Sequence, residues 1–173
     1  RYEFGRREQV LTELVDTVIQ LVTKARELDV AVTIDAEEVD RPELSLEVFR
    51  AIYQSDAVKG WGHFGLVVQA YSKRALPVLH YINRLADEQG DEIPLRLVKG
   101  AYWDSEIKES QQLGIDGYPV YTRKACTDVA YLACAQFLLS DDTRGRIFPQ
   151  FATHNAHTVT TILELANHDS RPF

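Results

Sequence analysis

Apolar residues near the start of the chain, Val10, Leu11, Leu14, Val15, Val18, Ile19, Leu21 and Val22, recur mostly at three- and four-residue spacing. That period predicts an amphipathic helix running to about Leu28. The β-branched run at 30–34 follows at once, and its apolar density predicts a strand covered on both faces. Asp40 as N-cap, Pro42 in the first turn and Glu43 then open a helix carrying Leu44, Leu46, Val48, Phe49 and Ile52. The alternation repeats with a strand at 64–69, a helix at 72–88, a strand at 95–99 and a helix starting at Asp104. A loop at 114–119 precedes a helix at 122–140, a strand at 147–152 and a last helix at 157–167 capped by Asn155. Pro149 counts against the fourth strand, because proline removes a ladder donor.

Helices alternating with strands in this way predict an α/β domain with parallel strands. Asp35, Gln69, Lys99 and His154 stand at the C-terminal ends of the four strands, where barrel enzymes carry their chemistry. A complete eight-unit barrel takes about 250 residues. The alternation alone does not decide between an open doubly-wound sheet and a closed barrel. A barrel of this length would be a partial (βα)8 TIM-type barrel, with 1–173 a single fragment incomplete at both ends, and the start at Arg1 and the lack of methionine agree with a fragment.

Composition narrows the function. The chain is 45% hydrophobic and 26% charged, ordinary globular usage, and no apolar run reaches the 18 residues a membrane span needs. Its formal charge of −7 argues against a nucleic-acid face. Cys126 and Cys134 are expected to be two buried thiols of an intracellular protein.

Three groups of residues suggest chemistry. Gly60-Trp61-Gly62-His63-Phe64-Gly65 matches a dinucleotide fingerprint in spacing, yet it follows a helix and leads into a strand, so it is a helix-to-strand turn. His154 and His157, with Asp35, Glu37 and Glu38, could serve a metal-dependent barrel hydrolase, but no second ligand pair at motif spacing supports metal binding. Arg96-Leu97-Val98-Lys99-Gly100-Ala101-Tyr102-Trp103 is expected to set one cation inside a buried strand and a second at its exit. Buried charge needs an answering anion, either a structural carboxylate such as Asp35 or an anionic cofactor. Gly100 would let a ligand approach the backbone, and Trp103 offers a flat face for a ring.

Taken with Thr33-Ile34-Asp35-Ala36-Glu37-Glu38, Val68-Gln69-Ala70-Tyr71, Gly117-Tyr118-Pro119-Val120-Tyr121-Thr122-Arg123-Lys124 and Pro149-Gln150-Phe151-Ala152-Thr153-His154-Asn155, the stretch from Arg96 to Glu106 resembles the proline dehydrogenase domain of the bacterial proline utilization A (PutA) family. The resemblance runs along essentially the whole chain. It implies a distorted (βα)8 barrel, of which this chain is the helix after strand two through the helix after strand six. It also implies FAD as cofactor and oxidation of L-proline to Δ1-pyrroline-5-carboxylate by hydride transfer to flavin N5.

Position by position, the resemblance implies that Val67 and Gln69 meet the flavin ring and that Arg96 lies beside it. Lys99, Gly100, Ala101 and Trp103 match the segment holding the ribityl, phosphate and adenine portions. Thr122, Arg123 and Lys124 match a second cofactor contact, and Thr153 and His154 a third. Asp35 matches the active-site aspartate, and Tyr102 a wall of the substrate pocket. The family's carboxylate clamp, a lysine and an arginine pair, has no counterpart here, so the isolated chain is expected to be inactive and to bind FAD weakly.

Further expectations are a quinone electron acceptor, room for an aldehyde dehydrogenase domain in the same parent chain, and self-association through open strand edges. A cytoplasmic location with peripheral contact at the inner membrane face is also implied. The rival readings are a metal-dependent TIM-barrel hydrolase and a non-catalytic α/β interaction fragment.

Overall fold

The computed structural model describes residues 7–36 and 42–173. Helix α1 (Arg7–Glu27) leads into strand β1 (Val32–Ile34), then α2 (Pro42–Tyr53), β2 (Phe64–Gln69), α3 (Ala75–Gln89) and β3 (Ile93–Val98). Helices α4 (Trp103–Gln112) and α5 (Lys124–Leu139) both precede β4 (Ile147–Phe151), and α6 (Ala156–Asp169) closes the chain. The proposed N-cap Asp40 and the metal candidates Glu37 and Glu38 lie outside the described residues.

The four strands are parallel and ordered β1-β2-β3-β4, so each strand pairs with the next in sequence. Strand residues alternate between faces, and one face alone joins the main core: Phe64, Leu66 and Val68 of β2, Ile93, Leu95 and Leu97 of β3, and Ile147 of β4. Against them pack Phe49 and Ile52 of α2, Leu79, Ile82 and Leu85 of α3, Tyr131, Cys134 and Leu138 of α5, and Ile162 of α6. A doubly-wound sheet reverses strand order and covers both faces with helices. Sequential order with the helices packed on one face is the arrangement of consecutive βα units in a barrel wall.

Some boundaries differ from the sequence reading. β1 is half-buried instead of covered on both faces: Asp29 takes φ 54°, Val30 remains exposed, and the strand sits at the sheet edge. α3 starts at Ala75 because Ser72 forms an antiparallel bridge with Val120. Pro149 is accommodated because the Ala152 N–H and the Arg146 carbonyl both face β3, so at alternating positions Pro149 turns its missing donor toward the open edge. On that same edge the buried Arg171 donates from Nη2 to the Ile147 carbonyl at 3.0 Å.

The glycine string forms the predicted turn, with Gly60 and Gly62 both at φ 70° and the Gly60 N–H donating to Asp91. Asn155 caps α6, its Oδ1 accepting from the Thr158 N–H at 3.0 Å. Only one of the two thiols is buried. Eight residues along α5 turn about 80° around the axis, so Cys134 faces the core, where burial pushes its pKa up to about 11, while Cys126 is exposed.

Candidate active site

The face of the sheet opposite the main core carries different chemistry. Register puts Val67 beside Arg96 and Arg96 beside Gln150, with Gln69 beside Val98 in the next row. Arg96 is therefore exposed, not buried in its strand, because it alternates with the buried Leu95 and Leu97. Asp35 is not its partner; among the described residues Arg96 makes no ion pair, and Asp35 Oδ1 accepts from the Ala36 N–H at 2.9 Å.

The second cation of the motif is paired. Lys99 Nζ forms an ion pair with Asp128 of α5, donates to Thr158 Oγ1 at 3.2 Å and lies 5.8 Å from the centre of the Tyr131 ring. Asp128 also receives Lys124 Nζ at 2.7 Å. Lys124, then Lys99, hold the Asp128 carboxyl below its ordinary pKa. For Lys99 the structural carboxylate anticipated by the sequence is thus present, although it is Asp128 and not Asp35.

The turn after β3 is fixed by its neighbours. The buried Gln69 accepts at Oε1 from the Ala101 N–H at 2.8 Å. Gly100, at φ 149°, lies flush against Tyr71, and a Cβ there would stand 2.4 Å from the ring. Trp103 is 41% exposed, with its Nε1–H donating to the Tyr121 carbonyl at 2.9 Å, which leaves its ring open to stacking. Tyr102 is half-buried at the start of α4.

At the C-terminal ends of the strands a cavity of about 330 Å³ brings together Asp35, Val67, Gln69, Lys99, Gly100, Ala101, Tyr102, Thr153 and His154. Arg96 and Trp103 do not line it. Nor do Thr122, Arg123 and Lys124, which stand exposed at the N-terminus of α5. An adjoining apolar cavity of about 260 Å³, between α2, α3 and the sheet, shares Asp35, Val67 and Gln69 with the first.

Sequence reasoning gave no role to Asp128, Thr158 or Tyr71. Asp128 carried a local signal in its four-residue spacing from Lys124, and Tyr71 stood in a quoted stretch two residues past Gln69. Thr158 is joined to the site across the fold.

Chemically, a guanidinium exposed on the sheet face, ammonium groups at the end of β3 and the start of α5 and an exposed indole fit a molecule with a flat ring and phosphates, whereas the space a side chain at Gly100 would occupy is filled by the Tyr71 ring and not left for a ligand. A metal is less well served: among the described residues no group of three His, Cys, Asp or Glu side chains is placed to hold one. None of the helices among those residues is long and apolar enough to cross a membrane.

The proline dehydrogenase family model matches residues 3–172. The bifunctional protein PutA of Escherichia coli (strain K12) is 46% identical over 172 residues, covering 99% of this chain and 13% of that protein. The crystal structure of a mutant of Bradyrhizobium japonicum proline utilization A superposes with a TM-score of 0.92 at 53% identity, covering 96% of this chain and 17% of that one. That of Bdellovibrio bacteriovorus proline utilization A inactivated by N-propargylglycine gives 0.90 at 33% identity, with the same coverage. This chain therefore spans only a small part of the relatives it matches, and the fold it shares with them is TIM-barrel-like. The metal-dependent hydrolase is not favoured.

Proposed function

The chain belongs to the proline dehydrogenase family, and we propose on that footing that in its complete protein it forms part of an FAD-dependent site oxidising L-proline to Δ1-pyrroline-5-carboxylate. What supports this reading is the meeting of Asp35, Gln69, Lys99, Gly100 and Tyr102 in one cavity at the C-terminal strand ends, beside the open sheet face that carries Arg96. Bound FAD would supply the acceptor for the two electrons that leave proline as hydride.

The residues of this chain divide the work. Arg96 offers a guanidinium cation where negative charge arrives during oxidation. Gln69 holds the Ala101 N–H and so fixes the backbone beside which the nucleotide lies. Lys99 and the indole of Trp103 bind the phosphate and adenine portions with Gly100 and Ala101, Lys99 already oriented by Asp128 and Thr158. Val67 packs on the flavin ring. Thr122, Arg123 and Lys124 extend the anion-binding surface to the start of α5, and Thr153 and His154 complete it at the end of β4.

Asp35 and Tyr102 border the substrate, Asp35 orienting neighbouring polar groups around the proline ring. Oxidation removes the ring N–H proton and a hydride from the adjacent ring carbon, leaving the C=N bond of the product. The electrons pass on to a quinone. An aldehyde dehydrogenase domain in the same parent chain would suit a cytoplasmic bifunctional protein with peripheral contact at the inner membrane face.

We also propose that the 173-residue chain alone lacks turnover, since none of its residues matches the family's carboxylate clamp, and that it self-associates through the β1 edge. That edge is the better candidate because Arg171 already occupies part of the β4 edge. The test of the main reading is the visible absorption and metal content of the purified complete protein, together with dye reduction by L-proline. The expected result is a flavin spectrum, proline-dependent dye reduction and no metal requirement. A colourless, metal-dependent protein would overturn the assignment.

A further inference from the structure

Two residues past the end of β2, Tyr71 is 2% exposed, yet it stands outside the main core cluster. Its contacts go instead to the segments around the site. The Tyr71 N–H donates to the Lys99 carbonyl at 2.7 Å, and the Tyr71 carbonyl accepts from the Tyr121 N–H at 2.9 Å. The Tyr121 carbonyl in turn accepts from Trp103 Nε1 at 2.9 Å. This series links Lys99 through Tyr71 and Tyr121 to Trp103, so the two ends of the 99–103 turn are held from one point.

Adjacent contacts reinforce the link: Ser72 bridges Val120, and the Lys73 N–H donates to the Pro119 carbonyl at 3.0 Å. The Tyr71 ring fills the space a side chain at position 100 would need. Its hydroxyl end lies near the buried Glu106 of α4, and burial, then that carboxylate, push the phenol pKa upward, so the group remains neutral.

We infer that Tyr71 is a positioning residue, setting the backbone of residues 99–103 and 119–122 so that cofactor-binding groups on both segments meet one ligand. This rests on the proposed function, because those segments matter only if they hold the flavin nucleotide. The ring and the backbone register do the positioning, since the ring is what abuts Gly100 and the main chain is what carries the hydrogen bonds.

The complete protein with FAD provides the test. Tyr71→Leu should weaken FAD binding at least tenfold and shift the visible flavin bands, while far-UV circular dichroism is retained. Tyr71→Phe, which keeps the ring, should bind within about threefold of wild type. Gly100→Ala should also weaken FAD binding by forcing the ring away, and because Gly100 is itself a proposed cofactor contact, its hydrogen exchange without FAD decides the matter if Tyr71→Leu does not fold. FAD affinity and spectrum unchanged in both Tyr71→Leu and Gly100→Ala would overturn the inference.

Hydrogen exchange without FAD separates this inference from the reading beneath it. Residues 99–103 and 119–122 should exchange at least tenfold faster in Gly100→Ala, and unchanged exchange there would also count against the positioning role. Failure of the wild-type protein to bind FAD would strike the proposed function and leave the exchange result as the measure of Tyr71.

Discussion

The two faces of the four-stranded sheet are built from neighbouring residues of the same strands and do opposite things. Leu95 and Leu97 have no exposed surface, whereas Arg96 between them is exposed. Leu66 and Val68 join the main core, whereas Val67 and Gln69 line the cavity at the strand ends. The helix-covered face supplies burial, and hence most of the stability, while the opposite face is free to carry groups that a packed interior would reject. Substitutions one residue apart should therefore separate stability from chemistry.

The largest loss of stability is expected on the covered face. Leu95→Ala in the complete protein should cost about 2–5 kcal/mol in denaturant unfolding, since it leaves a cavity between sheet and helices. Next is Gly65→Ala on the opposite face. A Cβ there would stand 2.2 Å from the Pro94 carbonyl oxygen, so β2 and β3 must shift apart, at a cost of about 1–3 kcal/mol on the same measurement.

Asp128→Asn should cost less, under about 1 kcal/mol at neutral pH, because the ion pairs it makes are partly solvated. The folded pKa of Asp128 is depressed from 3.8, so its contribution is fully present well above that value. The difference between wild type and Asp128→Asn should shrink as pH falls below 3.8 through the folded pKa, and a gap that widened on acidification would contradict the assignment. Arg96→Met should change stability least, within about 0.5 kcal/mol, as its side chain is exposed and supports no ion pair among the described residues.

What could be read from the sequence divides along the same line. Periodicity located β2, β3, β4 and the helices between them, because repeated burial leaves a repeated signal. It misled where several apolar residues adjoin: the run at 30–34 suggested a doubly covered strand, yet only Val32–Ile34 pairs, and at the sheet edge. Strict alternation would have shown Arg96 to be on the opposite face from Leu95 and Leu97, which the reading of a buried strand obscured. The grouping of the strand-end polar residues was legible, since Asp35, Gln69, Lys99 and His154 line one cavity.

The partners that orient those residues were not legible. Asp128 and Thr158 lie 29 and 59 positions from Lys99, and Ala101 lies 32 from Gln69. No local pattern records such pairings, which arise only when βα units are laid side by side.

The central claim is that the uncovered face serves a flavin nucleotide, with Arg96 as its fixed cation. Anaerobic addition of L-proline to the complete protein, followed by bleaching of the visible flavin band, tests it most directly when wild type and Arg96→Met are compared. The prediction is that both proteins hold flavin and melt alike, while Arg96→Met bleaches at least tenfold more slowly. Bleaching of Arg96→Met at the wild-type rate would contradict the account.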